Sequence, residues 1–360
     1  MSDLISCVIP LSKPLPPVLG VGAYLKNALC LIQGNEAWIS RENGSLDSVE
    51  AITRFQTTAQ AMIDTAKEKP ILIAHDWHPD FPCTRWAMES GYITVGIQHH
   101  HAHAAAVMAE HGIDHPVLAL TLDGFGLGKN NEAWGGELLR VDTKGFQRLG
   151  HLRTLSQPGG DVAARQPWRM GAAALFAMGR GDEIATRYAA FEGASHLAMM
   201  MQRGLNAPPT SSAGRLFDAA CGLLNVMPVA TFEGEAPMKL ESMVTKPQVM
   251  AEGWQIEDDV LDMRPLLARL VECEAGEGAN LFHGTLAAGL LEWPQKASVQ
   301  TGIKQVALCG GCFFNKVLRE SLSQGMMAAG LTPLLPKQML VGDTAIALGQ
   351  AYAAALKTGE

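Results

Sequence analysis

The chain has little of what marks a secreted, membrane-spanning or nucleic-acid-binding protein. Its seven cysteines are scattered and odd in number, which suits a reducing cytoplasm better than a disulfide framework. No window reaches the ~18–20 apolar residues that a membrane helix needs, and residues 1–17 lack the basic-then-apolar order of a signal peptide. The 36 acidic residues outnumber the 28 basic ones, and the net charge of −8 argues against a broad phosphate-binding surface. We therefore expect a cytoplasmic protein that binds no membrane and has no broad nucleic-acid surface, with a local basic patch left open.

The length and composition predict an α/β protein with two lobes. With 360 residues, 48% of them hydrophobic, the chain can bury one large core or two smaller ones. Short apolar runs alternate with helical patterns, which indicates mixed sheets, and a turn is predicted at Gly34-Asn35. Both halves open with an apolar strand and a glycine turn, a faint repeat. The predicted division is an extended arm over 1–17, a first lobe over 18–114 completed by 344–360, and a second lobe with inserted helices over 115–343.

The strongest chemical signal is the run Gln-His-His-His-Ala-His at 98–103, which follows a predicted strand. Sites of α/β proteins gather at such strand ends. His99 and His103 are four residues apart, so a helix places both imidazoles on one face, where they can bind one metal ion. His100 and His103 form an alternative pair, and a polar helix start with solvated histidines is the simplest interpretation. We favour a metal site, because four of the eleven histidines fall within five residues.

Two aspartates at predicted turns are candidates to complete a metal site. Asp123 ends an apolar strand, and Asp343 stands between a strand-like segment and a helix. An aspartate before a helix commonly caps it, and this is the alternative for Asp343. Two histidines with one or two carboxylates suit iron or zinc, and each added carboxylate favours iron or manganese.

Three glycine-bearing turns offer backbone N–H groups to a phosphate. None matches a Walker loop or a complete Rossmann fingerprint, but beside a metal site they favour a nucleotide ligand. Cys309 and Cys312 bracket the last turn. A lone CxxC is a weak metal or redox signal, and we interpret it as a glycine turn between ordinary apolar cysteines. The turns contain Gly124, Gly126 and Gly128; Gly159 and Gly160; and Gly310 and Gly311.

Eight motifs follow one another over roughly residues 18–355. They are GIQHHHAHAAAVMAEHG, LALTLDGFGLG, WGGELLRVD, QPGGDVAARQPWRM, SSAGRLFDAA, LFHGTLA, CGGCFFNKVLRESL and GDTAIALGQA. In this order they resemble the C-terminal transferase domain of the HypF-type hydrogenase-maturation carbamoyltransferases. The resemblance implies the TsaD-like branch of the actin, sugar-kinase and Hsp70 fold. That fold has two lobes, each with a mixed five-stranded sheet, and a nucleotide cleft between them.

The resemblance also implies roles for individual residues. The metal ligands, which are also the catalytic residues, are His99, His103, Asp123 and Asp343. Adenosine contacts are implied for Asp218, Gly234 and Asn315. The glycines beside Asp123 resemble a phosphate turn, and the candidate cofactor-binding glycines are Gly124, Gly126, Gly159, Gly160, Gly310 and Gly311.

In function, the resemblance implies transfer of a carbamoyl group from carbamoyl-adenylate to the C-terminal cysteine thiol of a HypE-type partner. This is a step toward the cyanide ligands of nickel–iron hydrogenases. Iron is the expected metal, with zinc as the alternative, and carbamoyl-adenylate or ATP is the expected nucleotide. The modules that precede this domain in full-length HypF have no counterpart here. We therefore expect a free-standing short form that receives its adenylate from a separate protein or module.

The sequence departs from the family near its end, where Gly342-Asp343-Thr344-Ala345 replaces the usual Asn-Asp-Gly-Gly. Glu235 and Pro237 also differ from the usual pattern. Three other interpretations stay open: carbamoyl transfer to a small molecule or tRNA, a kinase of the same fold, and a non-catalytic nucleotide-binding paralogue. The acidic charge disfavours tRNA, and kinases of this fold do not need paired histidines.

Overall fold

The N-terminal part of the chain builds a five-stranded mixed sheet, described within residues 4–358 of a computed structural model. Its elements are β1 Ile5–Leu15, β2 Val18–Gly20, β3 Cys30–Ser40, α1 Val49–Thr65, β4 Leu72–Asp76, α2 Pro82–Glu89, β5 Thr94–Ile97 and α3 His99–His111. The strand order is β1-β3-β2-β4-β5, antiparallel from β1 to β2 and parallel from β2 to β5.

The second sheet is larger than the five strands that the resemblance implies. The chain continues with β6 Val117–Leu127, β7 Ala133–Asp142, β8 Gly145–Leu152, β9 Leu155–Ser156, α4 Asp161–Arg165, α5 Pro167–Ala177, α6 Ile184–Arg187, α7 Ala194–Gln202, β10 Pro209–Thr210, α8 Ala213–Leu223, α9 Glu235–Ser242, β11 Gln255–Glu257, β12 Val260–Asp262, α10 Arg264–Leu270, α11 Ala275–Thr301, β13 Gln305–Cys309, α12 Lys316–Ala328, β14 Thr332–Leu334 and α13 Ile346–Thr358. The main path is β11-β12-β8-β7-β6-β13-β14. The hairpin of β11 with β12 and the short strands β9 and β10 extend this sheet to nine strands.

The two sheets share one arrangement, which explains the faint repeat in the sequence. In the first sheet β1-β3-β2-β4-β5, and in the second β8-β7-β6-β13-β14, two antiparallel pairings are followed by two parallel ones. The two sheets differ in chain order. The outer antiparallel strand of the first sheet, β1, comes before the other two antiparallel strands in the chain, whereas that of the second sheet, β8, comes after them. The two-lobed mixed α/β architecture is therefore confirmed.

The predicted turn at Gly34-Asn35 is wrong. Strand β3 continues through both residues, and Gly34 pairs with Leu15 where the register of β1 shifts. Gly34 has a φ of +62°, a conformation that glycine adopts readily. The glycine that predicted a turn therefore accommodates an irregularity within strand β3. Residues 5–15, within the predicted arm, form β1, whose prolines Pro10 and Pro14 are tolerated because β1 is an edge strand.

Two helices, α3 and α13, lie side by side between the sheets. Helix α3 packs on β6, β7 and β13, and α13 packs on β2, β3 and β4. Their contact is so close that a Cβ on Gly349 would lie 1.7 Å from the carbonyl oxygen of Ala102. The alanine-rich sequence of α3 permits this approach, because small side chains let helix backbones come together. The two helices thus join both sheets into one buried core.

Helices α1 and α2 cover the other face of the first sheet, and α5, α8 and α10–α12 contribute to the core of the second lobe. Among the helices of residues 4–358, none is long and apolar enough to cross a bilayer. The longest, α11, contains Pro294.

Candidate metal and nucleotide site

Four side chains that the sequence singled out converge at one point. One ligand atom from each of His99, His103, Asp123 and Asp343 lies within 4.8 Å of the others. The Oδ2 atom of Asp123 is 2.9 Å from His103 Nε2 and 3.4 Å from His99 Nε2. The Oδ1 atom of Asp343 is 3.7 Å from His103 Nε2 and 3.8 Å from His99 Nε2. The first three residues are buried and Asp343 is partly exposed, so the cluster opens on the Asp343 side.

Strand pairing explains why these residues meet. Strand β5 leads directly into α3, whose first turns carry His99 and His103. Strand β6 carries Asp123 and pairs in parallel with β13, which places the Gly310-Gly311 turn beside Asp123. Helix α3 packs against β6 and against the 3-10 turn Asp343–Ala345. The departure from the family pattern at 342–345 therefore leaves Asp343 in the cluster.

Asp123 is held by backbone groups from two turns. Its Oδ1 accepts hydrogen bonds from the N–H groups of Gly124, at 2.8 Å, and Gly311, at 3.2 Å. Its Oδ2 is thereby directed to the histidines. A Cβ on Gly310, whose φ is +97°, would lie 2.4 Å from the carbonyl oxygen of Leu122. Only glycine fits this close approach without movement of the backbone.

His99 is oriented by Asp76, a residue that the sequence analysis missed. Asp76 ends β4, the parallel neighbour of β5, and is 1% exposed. Its Oδ2 is 2.8 Å from His99 Nδ1, and its Oδ1 accepts a 2.9 Å hydrogen bond from the N–H of His78. A carboxylate that accepts the Nδ1 proton leaves Nε2 free for a metal, the usual arrangement around metal-binding histidines. The only sequence signal for it was an aspartate at the end of the strand Leu-Ile-Ala-His-Asp.

The charges of the cluster suit a cation. Burial opposes protonation of His99, but the nearby carboxylates of Asp123, Asp343 and Asp76 outweigh burial and hold the pKa of His99 well above the usual range. Burial likewise opposes ionisation of Asp123, but the contacts with His103 and His99 hold the pKa of Asp123 well below its usual range. The site therefore stabilises positive charge between imidazole and carboxylate. A divalent metal would supply that charge and displace the proton.

The donor atoms also fit a metal chemically. His99 Nε2 is buried and has no hydrogen-bond partner within residues 4–358. Two imidazole nitrogens and two carboxylate oxygens form a set that iron, zinc and manganese accept. Asp343 does not cap the helix that follows it, which was the alternative role considered for it. No backbone N–H in the described chain donates to its carboxylate.

The alternative pair of His100 with His103 does not form a cluster. His100 is buried beside His99, but its Nδ1 receives a 3.0 Å hydrogen bond from Gln98. Burial and the neighbouring charge of His99 hold the pKa of His100 well below its usual range, so its ring is neutral. The cysteines of the CxxC segment are also outside the cluster. Burial raises the pKa of Cys312 well above its usual range, in keeping with an ordinary thiol.

The predicted cofactor glycines fall into two groups. Gly124, Gly126, Gly310 and Gly311 surround the cluster. Gly159 and Gly160 form a separate turn, where a Cβ would contact Arg169, Val162 or Asn206 and none of the four cluster residues. A phosphate role for that second turn stays a prediction.

The predicted adenosine contacts lie on the second lobe. Burial raises the pKa of Asp218 to about 6, and Arg215 partly offsets the effect. The Arg215 Nε lies 2.7 Å from Asp218 Oδ2, but the geometry is not that of a hydrogen bond, so both atoms stay unsatisfied. Asn315 caps α12 through a 2.9 Å bond from the N–H of Leu318 and donates a 2.9 Å bond to His283 Nε2. Its side chain thus already has structural partners.

Gly234 precedes α9 with a φ of +82°, and Glu233 beside it is a second residue missed from the sequence. The Glu233 Oε1 lies 3.6 Å from where a Cβ would stand on Gly124. Partial burial, together with the charges of Asp343 and Asp123, raises its pKa. Glu233 therefore faces the mouth of the cluster from the second lobe.

Lys26, also missed, reaches the same region from the first lobe. Its Nζ lies 5.3 Å from the ring centroid of Phe314, which follows the Gly310-Gly311 turn. The backbone of Lys26 has a φ of +45°, and the buried Asn27 beside it donates 2.8 Å bonds to the carbonyls of Val21 and Ala23. The loop is therefore held in an unfavourable conformation that brings a cation to the cleft.

Comparison with known proteins agrees with this geometry. A family model described as "HypF Kae1-like domain" matches residues 13–110, and one described as "Carbamoyltransferase, Kae1-like Domain, second subdomain" matches residues 119–350. A relative from Cupriavidus necator, "Carbamoyltransferase HypF homolog", is 43% identical over 96% of this chain and 93% of its own length. The chain belongs to the HypF carbamoyltransferase family.

Other HypF relatives are longer than this chain. "Carbamoyltransferase HypF2" of Cupriavidus necator is 42% identical over 96% of this chain but only 47% of its own length. The chain thus spans about half the length of that relative. A crystal structure of full-length HypF "in the phosphate- and nucleotide-bound form" superposes with a TM-score of 0.90 at 30% identity, over 97% of this chain and 56% of that one. The two-lobed fold implied by the sequence resemblance is confirmed.

Proposed function

We propose that this chain transfers a carbamoyl group from carbamoyl-adenylate to the C-terminal cysteine thiol of a HypE-type partner. The reaction is a step toward the cyanide ligands of nickel–iron hydrogenases. The observation that carries the proposal is the cluster of His99, His103, Asp123 and Asp343 between the lobes of a HypF-family chain. The related HypF structure described as phosphate- and nucleotide-bound supports a nucleotide in this cleft.

The four cluster residues are proposed to hold a divalent metal, iron in preference to zinc. Such an ion supplies Lewis-acid stabilisation to an oxygen of the bound donor. Asp76 keeps the Nε2 of His99 free for the metal, and Asp123 is kept in place by the N–H groups of Gly124 and Gly311. These residues hold the donor site rigid, which is the main requirement when the nucleophile is already strong.

The chemistry asks little more of the protein. In the transfer, the thiolate sulfur forms a bond to the carbamoyl carbon, and the bond from that carbon to the adenylate phosphate oxygen breaks. AMP leaves with the electron pair, and the thiol proton is lost to solvent. A thiolate needs no strong base near pH 7, so the site must chiefly orient the donor and stabilise developing charge.

The direct test mixes the chain with carbamoyl-adenylate, Fe²⁺ or Zn²⁺, and a peptide that ends in cysteine. We expect the peptide mass to rise by one carbamoyl group. A peptide that ends in serine and the His99→Ala variant are the matched controls, and neither should be modified. Transfer to tRNA or to a small thiol in place of the peptide would favour the alternative acceptors. Loss of activity with every acceptor would favour the non-catalytic paralogue.

We also propose that the adenylate comes from elsewhere. Its synthesis from carbamoyl phosphate and ATP needs a dephosphorylation site and an adenylation site. Residues 4–358 contain one cluster of four side chains that could hold a metal ion. The 360-residue chain should therefore fail to modify the peptide from carbamoyl phosphate and ATP, and a separate adenylate-forming protein should restore transfer. Modification by the purified chain alone would overturn this division of labour.

A further inference from the structure

His100 is a buried histidine beside the cluster that the proposed metal site does not use. It is 0% exposed, and its ring stands edge-to-face against His99 with centroids 5.5 Å apart. A Cβ on Gly126 would lie 2.5 Å from the Cε1 atom of His100. His100 thus packs between a proposed metal ligand and the glycine turn that follows Asp123.

The hydrogen bonds of Gln98 determine which nitrogen of His100 carries the proton. The Gln98 Oε1 accepts a 2.9 Å bond from the backbone N–H of His101, which can only donate. Its Nε2 donates to the carbonyl oxygen of Leu127 at 3.2 Å, an atom that can only accept. The orientation of the amide is therefore set twice by backbone groups. The same Nε2, 3.0 Å from His100 Nδ1, must donate to that nitrogen.

Because Nδ1 accepts, the proton of the neutral ring is on Nε2. That Nε2–H is buried and has no hydrogen-bond partner anywhere in residues 4–358. A buried donor without a partner costs about 1–3 kcal/mol, so native structures rarely keep one without a reason. The Nε2 of His99 is also buried without a hydrogen-bond partner in these residues, but it carries a free lone pair, which a metal would bind. A metal cannot be the partner of His100 Nε2, because a protonated nitrogen cannot bind a metal.

The surroundings hold the His100 ring in place. Trp134 packs on one side with ring centroids 6.3 Å apart, and the guanidinium of Arg148 lies 4.1 Å from the centroid of Trp134. Arg148 is fixed in turn by the fully buried carboxylate of Glu137, 2.6 Å from its Nε. The position of the His100 ring is thus fixed by Trp134, which is held by Arg148 and, through it, by Glu137.

We propose that His100 is a catalytic residue, and that its Nε2–H donates a hydrogen bond to an oxygen of the carbamoyl donor bound at the metal cluster. The proposal rests on the proposed carbamoyl transfer. His100 keeps its proton throughout and forms no covalent bond. Its N–H stabilises the negative charge that develops on the donor oxygen as sulfur attacks, and the proton on Nε2 keeps that nitrogen from binding the metal.

Two amide variants separate this role from simple packing. His100→Asn places its amide near the former Nδ1, where it can still accept from Gln98, but it removes the Nε2 donor. His100→Gln extends an amide toward the former Nε2. We expect His100→Asn to lower kcat about 10²–10³-fold, the usual effect of losing one such donor, with metal content and KM for carbamoyl-adenylate little changed. His100→Gln should recover at least about tenfold of that loss.

Equal and nearly full activity of both variants would overturn the proposal. Loss of bound metal in His100→Asn would also overturn it, because the residue would then act through the metal site.

A second measurement on the unmodified chain needs no turnover. Long-range proton–nitrogen spectra of ¹⁵N-histidine-labelled protein, assigned with His100→Gln, should show the proton of His100 on Nε2, with and without Zn²⁺. A proton on Nδ1 would overturn the proposal even if carbamoyl transfer occurs. Conversely, absence of transfer by the unmodified chain with every acceptor would refute the proposed function, whatever the spectrum shows.

Discussion

Replacing Asp76 with asparagine should weaken metal binding more than removing the side chain altogether. In the native chain the Oδ1 of Asp76 accepts from the N–H of His78, and the Oδ2 accepts from Nδ1 of His99. Asparagine keeps one acceptor, which the His78 N–H requires. Its amide N–H₂ then faces His99 Nδ1. The imidazole can satisfy that donor only by moving its own proton to Nε2, the atom that must bind the metal.

The structure sets the size of the effect. Loss of a carboxylate behind a metal-binding histidine typically costs 10–100-fold in affinity, or about 1.4–2.7 kcal/mol. Asp76 is 1% exposed, so no bulk water can replace it in the Asn variant. We therefore expect about 100-fold weaker binding for Asp76→Asn. Asp76→Ala leaves space in which a water can accept the Nδ1 proton, and we expect a loss nearer tenfold.

The assay is competition for Zn²⁺ against a chromophoric chelator at pH 7, with circular dichroism to check folding. Asp80→Asn is the matched control, because Asp80 lies on the loop after the same strand but is exposed and paired with Arg85. It should bind Zn²⁺ like the unmodified chain. Unchanged affinity in Asp76→Asn, or tighter binding than in Asp76→Ala, would refute the reasoning from the tautomer of His99.

Three further outcomes follow from the same geometry. His99→Ala and His103→Ala should each lose most bound metal, as measured by elemental analysis, and all transfer, as measured by peptide mass, whereas His111→Ala should keep both. Asp218→Ala should weaken adenosine binding by on the order of 1–3 kcal/mol in calorimetry, with metal content unchanged. Because the pKa of Asp218 is raised to about 6, its acceptor form is lost as pH falls through 6. The native affinity should fall there and that of the variant should not. Gly349→Ala should cost about 1–3 kcal/mol in urea unfolding, because its methyl group meets the Ala102 carbonyl.

Each of these outcomes has a clear counterexample. Full metal content in both single histidine variants would remove the pair from the site. Equal adenosine affinity in Asp218→Ala would assign Asp218 to the packing of α8 alone. For the helix contact, Gly276→Ala is the matched control, since a Cβ there meets nothing within 4 Å. It should be neutral or slightly stabilising, and equal unfolding midpoints for the two variants would contradict the close packing of α3 on α13.

The part of the site that the sequence predicted is the part encoded locally. His99 and His103 are four residues apart on one helix, and Asp123 lies on β6 after its apolar run. Residue spacing and strand pattern are therefore enough to predict these three residues. Asp76 and Glu233 act only through neighbours that are distant in the chain. The pairing of β4 with β5 brings Asp76 to His99, and the packing of the second lobe brings Glu233 to Gly124. No local pattern specifies either contact.

The same limit explains the errors in the fold. A Gly-Asn pair predicts a turn, but the pairing of β3 with β1 extends the strand through Gly34. The resemblance implied five strands in each sheet, while β9–β12 are too short to be recognised by alternation. Asn315 shows a different limit, because a polar residue before a helix can either cap the helix or bind a ligand, and the sequence does not distinguish the two. Its hydrogen bonds with Leu318 and His283 in the structure show that it caps α12.

The placement of α13 also has a consequence for how the protein is made. The helix is the last element of the chain described here, yet it lies at the centre, against β2, β3, β4 and α3. Asp343, just before it, is the last cluster residue to be synthesised. On the ribosome the first sheet and α3 must therefore wait, with apolar surface exposed, until the entire second lobe has emerged. The nascent chain is open to aggregation during this interval, and the four residues of the proposed metal site come together only after Asp343 has been synthesised.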